Sequence, residues 1–368
     1  MNVGVARGSS ALAELSGALD ALNEETSAPI MARRPWLETW VSCYPDHEPW
    51  TIYVEGPRGL EAAALLARRR RRGVLEIVRM GHGATDHTRL PSRDRRSARI
   101  LAEAVSSALE ATRGPWRLFL GQLPVGDPVT KEIVATLPTA ALAPGDGSPT
   151  VRLEQGGSID EFLSRKMRSN LRTRMNRLQR EGLSADFSRL REAAEIEQVL
   201  PETERVRRER DAELGRSCKL DDPRYLSFRR MVLVELAKRR EVELTTLRIG
   251  DELVAYQVGL LDREVYRQWD SRFSPAWRWF APGGQLNAVT LGWVLEDRRF
   301  REFDFMRGIH PHKLEFATDV IPAETLVAWS SSLSRRFTTL EHQLKRLVKR
   351  DKERSSHPSG SVHAPSPH

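Results

Sequence analysis

From Val242 onward the chain reads as three strands, a Pro-Gly-Gly loop, a helix and a fourth strand. This order constrains the fold more than any other feature. Val242 to Ile249, Leu253 to Leu261 and Glu264 to Asp270 read as strands, and the tight turns Gly250-Asp251 and Asp262-Arg263 join them into an antiparallel meander. A helix is expected from about Gly284 to Asp297 and a strand from Glu302 to Met306. The N-terminus of that helix offers unpaired amides and partial positive charge, which suits an anion. Pro282, Gly283 and Gly284 let a backbone approach a pyrophosphate with no side chain in the way. An ordinary loop before a helix explains the same residues on their own.

Upstream, Val151 to Glu154 reads as a strand, and Ser158 with Glu161 forms a capping box. The helix that follows carries Leu163, Met167, Leu171, Met175 and Leu178 on one stripe and ends at Gly182. From Arg165 to Arg180 it holds seven basic residues and no acid. Such a surface could meet RNA, anionic lipid or a polyanionic substrate, or be only the solvated face of a helix that covers a sheet. A second helix is expected from about Pro201 to Glu213, and another capped by Asp222.

The first half is less regular. Ala11 to Leu22 reads as one helix, and Trp36, Leu37 and Trp40 share a face of the next. Trp50 to Glu55 and Leu60 to Ala67 read as paired strands around Gly56–Gly59. The run Arg68 to Arg72 fits a loop between strands, and the polar stretch Gly145 to Pro149 marks a boundary. A chain of 368 residues is long enough for two domains. We expect domains at 1–148 and 149–335, a basic helix at 336–353 and a disordered tail at 354–368.

Composition excludes some classes. Hydrophobic residues make up 40% of the chain, enough for packed cores. The net charge of +8 comes from arginine, with fifty arginines against eight lysines. Arginine binds phosphate in a bidentate fork, so an anionic partner is in keeping; so is a GC-rich genome. Cys43 and Cys218 are too few and too far apart for a disulfide framework or a cysteine zinc site. His310 and His312 lack a nearby third ligand, so no metal is expected. No window is apolar enough to span a membrane and no signal peptide is visible, so a cytoplasmic protein is expected.

The last third resembles the acetyltransferase domain of cellulose-biosynthesis proteins of the CelD type, also called BioF2-like, within the wider GNAT and Fem-like group. The matching residues are Trp269-Asp270, Phe273-Ser274-Pro275, Ala281-Pro282-Gly283-Gly284-Gln285-Leu286, Phe303-Asp304-Phe305-Met306-Arg307-Gly308 and His310-Pro311-His312-Lys313. The basic helix from Arg165 resembles the family's Arg-rich opening segment. The chain departs from the pattern at Ala281, where the family has Ser, and at His312, where it has Tyr. The resemblance implies an α+β protein of two tandem GNAT-like domains, each a mixed, mostly antiparallel sheet flanked by helices. It implies a bacterial acyltransferase that uses acetyl-CoA or another acyl-CoA as co-substrate. The pyrophosphate would rest on Pro282, Gly283, Gly284 and Gln285, and an amine or hydroxyl would attack the thioester directly. The acceptor implied is a small molecule, such as a sugar or cell-envelope precursor.

Such chemistry needs a base, a polarised carbonyl and a proton for the departing thiolate. The candidates are Asp270, Asp304, His312 and Lys313. Asp270 ends a strand and is either a base or a turn residue. Asp304 points opposite Phe303 and Phe305, toward solvent or a polar cleft; the resemblance favours the cleft. Lys313 could bind an anion, stabilise an oxyanion or be solvated. His312 could act as acid or base. Tyr256, Tyr266, Trp277 and Trp279 could line a groove, though core packing explains them as well. Two rival functions are a Fem-like transferase using aminoacyl-tRNA, with Arg172 and Arg177 on the nucleic acid, and an inactive tandem domain that binds a polyanion or partner.

Overall fold

The computed structural model describes residues 1–154 and 157–331. The basic helix expected at 336–353 and the tail at 354–368 lie outside the described residues. The strands, in chain order, are β1 Asn2–Arg7, β2 Glu48–Gly56, β3 Gly59–Arg71, β4 Val74–Arg79, β5 Trp116–Pro124, β6 Ala141–Pro144, β7 Ser148–Arg152, β8 Ala185–Leu190, β9 Val242–Ile249, β10 Glu252–Asp262, β11 Val265–Phe273, β12 Glu302–Asp304, β13 Asp319–Ile321 and β14 Ala323–Trp329. The helices are α1 Ser9–Glu14, α2 Ser16–Glu25, α3 Arg34–Cys43, α4 Arg95–Glu110, α5 Pro128–Thr136, α6 Ile159–Phe162, α7 Arg165–Arg180, α8 Ala193–Glu213, α9 Pro223–Lys238, α10 Pro282–Glu296 and α11 Pro311–Leu314.

The strands form two seven-stranded sheets, ordered β1-β2-β3-β4-β5-β14-β6 and β13-β7-β12-β11-β10-β9-β8. Each sheet is antiparallel except for one parallel pair, β4 with β5 and β11 with β12. A parallel pair needs a crossover rather than a hairpin, and α4 and α10 supply the two. The two sheets therefore repeat one plan, as the tandem expectation requires.

Sheet membership does not follow the chain at its end. β14, which the sequence places with the second half, pairs with β5 and β6 in the first sheet. β7, near the expected boundary, sits in the second sheet between β12 and β13. Aromatic packing also joins the halves. Trp36 of α3 meets Phe228 of α9 and Trp269 of β11 edge-on, at centroid distances of 5.3 and 4.9 Å. The Asp262 carboxylate pairs with Arg33 and accepts the Ile30 amide across the same junction.

Several local expectations change for identifiable reasons. The arginine run is not a loop: Arg68 to Arg71 complete β3, and only Arg72 and Gly73 turn, both at positive φ. Arg69 lies opposite Glu76 on β4 and bonds it at 2.8 Å, while Arg68 lies opposite Glu48 on β2 at 2.8–2.9 Å. Paired cross-strand charges let arginines extend a strand. The capping box of Ser158 and Glu161 is present, but it opens only α6. Ser164 caps α7 separately by accepting the Met167 amide. The single helix expected over Ala11–Leu22 is two, α1 and α2. The helix expected near Pro201 runs from Ala193, with Pro201 inside it.

Candidate active site

β11 and β12 pair over only three residues, Val265–Arg267 with Glu302–Asp304. β12 then stops, while β11 continues to Phe273. The two strands part, and a cleft of about 810 Å³ opens between them. Its walls come from the end of β11, the start of α10, the cleft-side face of α7 and the segment after β12.

A bulge shapes the β11 wall. Gln268 pairs with Gly259 and Asp270 with Val258, so Trp269 is an extra residue with no cross-strand partner. A bulge reverses the side-chain alternation beyond it. Gln268 accordingly faces α10, donating to Asn287 at 2.9 Å, while Asp270 faces α8 and α9.

That reversal fixes the surroundings of Asp270. Its Oδ2 accepts from Arg207 at 2.9 Å, Arg229 at 3.3 Å and the Tyr256 hydroxyl at 3.0 Å. Arg272 lies 3.6 Å from Oδ1. Burial alone would raise this carboxyl, but the three guanidiniums hold it well below the usual carboxylate range. A carboxylate so held is a weak base, and Asp270 is not part of the cleft wall. The proton-accepting role expected for it meets this physical obstacle.

Asp304 is fully buried. It accepts from Arg267 at 2.7 Å, from the Met306 amide at 2.7 Å, and lies 2.8 Å from Nε2 of His87 in the first half. Burial opposes its charge, yet His87 and Arg267 bring its pKa down to about 2. Of the two locations open to Asp304, solvent and a polar cleft, the structure gives neither: it is an internal clamp behind the wall.

Lys313 and His312 do line the cleft. α11 presents both, and Lys313 Nζ donates to the carbonyls of Met306 at 3.1 Å and Arg307 at 2.9 Å. Burial pushes the Lys313 ammonium down to about 8. Burial, then Lys313 and His310, push His312 down to about 4, so its imidazole is neutral at pH 7. His310 stacks on it with rings 5.7 Å apart and 7° from parallel.

Gly283 and Gly284 also line the cleft, at the first turn of α10. First-turn amides have no intrahelical acceptor. A Cβ on Gly283 would lie 3.3 Å from the Phe273 ring and one on Gly284 3.4 Å from Leu171, so glycine keeps β11 and α7 close. Ala281 precedes Pro282 at φ 55°, ψ 52°, a left-handed conformation costing roughly 1–3 kcal/mol in a residue with a side chain. Gln285 turns away; its amide nitrogen donates to the Leu171 carbonyl at 2.9 Å and ties α10 to α7. Pro282 is buried.

From α7, Lys166 and Arg174 reach the cleft, whereas Arg165, Arg172, Arg177 and Arg180 are exposed. Arg177 nonetheless covers the Trp279 ring, 4.4 Å from its centroid. Tyr256 lines the cleft and holds Asp270, and Tyr266 is core. His87, Arg207, Arg229 and Arg267 have no motif to announce them, because their partners are distant in sequence. Among the described residues no cluster of three His, Cys, Asp or Glu could hold a metal, and no helix is long and apolar enough to cross a membrane.

Two sheets that each open at one parallel pair, the second over a glycine-rich helix start, define a tandem fold of the GNAT type. Residues 165–314 match the sequence model of the family described as acetyltransferase (GNAT) domain. Among solved structures, FemX is similar with a TM-score of 0.59 at 10% identity, over 84% of this chain and 95% of that one. The C-terminal domain of a candidate lysylphosphatidylglycerol synthetase from Agrobacterium fabrum gives 0.52 at 12%, over 90% and 96%. A conserved protein of unknown function from Bacteroides thetaiotaomicron gives 0.51 at 10%, over 85% and 96%. No curated protein matches the sequence. Residues 165–314 thus carry a GNAT domain, and the chain as a whole has a Fem-like tandem GNAT fold.

Proposed function

We propose that the second cleft transfers an acyl group from a coenzyme A thioester, acetyl-CoA foremost, to an amine or hydroxyl. The observation that carries this reading is the opening of β11 from β12 after three paired residues, with the amides of Gly283 and Gly284 at its edge. Those amides and the positive end of α10 suit a pyrophosphate. Lys166, Arg174 and Arg272 add positive charge to the wall. A thioester laid along β11 would pass the unpaired residue of the bulge.

In the reaction the acceptor's nitrogen or oxygen bonds to the acyl carbon and the carbon–sulfur bond breaks. Lys313, with a pKa of about 8, is suited to give its proton to the departing thiolate. His312 takes the position of the family's tyrosine, and its neutral ring is the acceptor for the nucleophile's proton. Asp270 and Asp304 are positioning residues: they fix the arginines and Tyr256 behind the wall. The resemblance to CelD-type proteins suggests a sugar or cell-envelope precursor as acceptor, in the cytoplasm.

A second reading, transfer from an aminoacyl-tRNA, is favoured by the exposed arginines of α7 beside the cleft. Thermal unfolding with acetyl-CoA, free CoA or neither, at two salt concentrations, separates the readings. Ligand at about 100 times its dissociation constant stabilises by roughly 2.7 kcal/mol. We expect acetyl-CoA to raise the midpoint and Gly283→Glu, which puts a carboxylate at the phosphate position, to abolish the rise. No shift with either form of CoA would sink the reading. RNA binding that weakens steeply with salt and needs Arg172 would then support the second.

A further inference from the structure

The first half holds a cleft of its own. β4 and β5 pair over Leu75–Val78 with Trp116–Phe119 and then part, as β11 and β12 do. Where they part lies a space of about 320 Å³. That is room for roughly ten waters at about 30 Å³ each. It suits a small organic molecule.

Arg79, the last residue of β4, lines this space and is only 5% exposed. Among the described residues, no hydrogen-bond acceptor or carboxylate partners its guanidinium, which sets it apart from the other buried arginines. Arg207 and Arg229 share Asp270, and Arg267 lies between Asp262 and Asp304. A buried charge with no counter-charge is costly, and an anion removes the cost. Burial alone lowers the pKa of Arg79, to about 9, and still leaves it charged at neutral pH.

The rest of the lining discriminates between anions. Thr85 Oγ1 donates to the Gly81 carbonyl at 2.8 Å, and Thr88 Oγ1 to those of Gly121 and Gln122 at 3.2 Å. Gln122 is bound to the Asp146 backbone through both ends of its amide. The two hydroxyls have spent their donors and the Gln122 amide one of its two; of the two guanidiniums on the wall, that of Arg307 reaches Asp86 at 3.3 Å, so the fork of Arg79 carries the recognition. Asp146 also borders the space, 3.9 Å from Arg307, and repels a dianion about twice as strongly as a monoanion. Phe119 supplies an apolar wall. Gly81, at φ +83°, keeps the fork open: a Cβ there would lie 3.4 Å from Nη2 and 2.5 Å from the Thr85 hydroxyl.

We infer that this first cleft is a second ligand site, which takes a small monocarboxylate on the fork of Arg79 with its apolar part toward Phe119. A guanidinium fork matches a carboxylate in two parallel bonds.

The test uses the full chain with sodium propionate, sodium chloride and sodium phosphate at equal ionic strength. Propionate is expected to raise the thermal midpoint saturably above chloride and to slow hydrogen exchange in residues 79–88. Arg79→Met is expected to unfold at or above the wild-type midpoint in chloride, since it removes an unpaired buried charge, and to lose the response to propionate. If that variant fails to fold, the exchange measurement on the wild type decides. Propionate acting no better than chloride would overturn the inference. So would protection by phosphate alone, or protection confined to the start of α10, which would place the anion in the other cleft.

Discussion

Lys313 gives the sharpest test of the second cleft, because the properties that suit it to proton transfer should cost the fold stability. Its ordinary pKa of 10.5 is lowered to about 8, first by burial. At about 1.4 kcal/mol per tenfold change in proton affinity, that difference is worth about 3 kcal/mol. The sign follows from which state binds the proton more tightly. The unfolded chain protonates Lys313 first as pH falls through 10.5, and the folded protein follows near 8. Stability is therefore lost between those values, and the whole penalty stands at pH 7. The bonds from Nζ to the Met306 and Arg307 carbonyls offset it by about 1 kcal/mol each. Lys313→Met keeps the length and the apolar contacts and removes the charge. We expect it to stabilise the protein by about 1 kcal/mol at pH 7 and to destabilise it by about 2 kcal/mol well above pH 10.5, where the charge penalty is gone and only the lost hydrogen bonds count, while acyl transfer falls at least tenfold. Urea unfolding at pH 7 and 10.5 with a transfer assay reads both. A variant less stable at pH 7, or equally active, would refute the reasoning, since the first denies the buried charge and the second the role.

The two buried carboxylates should behave in the opposite way. Asp304→Ala strands Arg267 and His87 at the junction of the two halves and should cost about 3 kcal/mol in urea unfolding, with Arg267 keeping Asp262. Because the folded pKa of Asp304, about 2, lies below the ordinary 3.8, the difference from wild type should be full above pH 4 and fade toward pH 2; a pH-independent difference would contradict the clamp. Asp270→Ala leaves Arg229 buried without a counter-charge and Arg207 with only Asp211, at 3.6 Å, and should cost about 3–5 kcal/mol, read in the same unfolding experiment. Asp270→Asn, which keeps an acceptor for Tyr256, should then retain more activity than a lost general base allows; a collapse of rate at native stability would return the proton-accepting role to Asp270.

Much of this protein is written locally. The meander over β9 to β11 was legible because its turns carry Gly250-Asp251 and Asp262-Arg263 between apolar runs of strand length; β9 and β10 are buried along both faces, and only β11 alternates. The start of α10 was legible because Pro282 is favoured in a first helical turn, and the Pro282-Gly283-Gly284 run punctuates the chain there. His312 and Lys313 were picked out by the resemblance to the CelD-type pattern, and the structure puts both on the wall of the cleft. These signals depend on backbone geometry over a few residues, which neighbouring side chains already fix.

What tertiary structure decided depends on partners far along the chain. Asp270 was exposed as a weak base only by Arg207 and Arg229, 63 and 41 residues away, and by a bulge that turns it toward α8 and α9. Asp304 became a clamp only through His87 of the first half. Neither β14's place in the first sheet nor the solitude of Arg79 has a local signature, since strand pairing and desolvation are set by whatever surrounds a segment once both sheets have formed. The sequence by itself determined the elements and the order of the motifs; packing determined the charge each buried group carries, because a pKa is fixed by the dielectric and the charges around it.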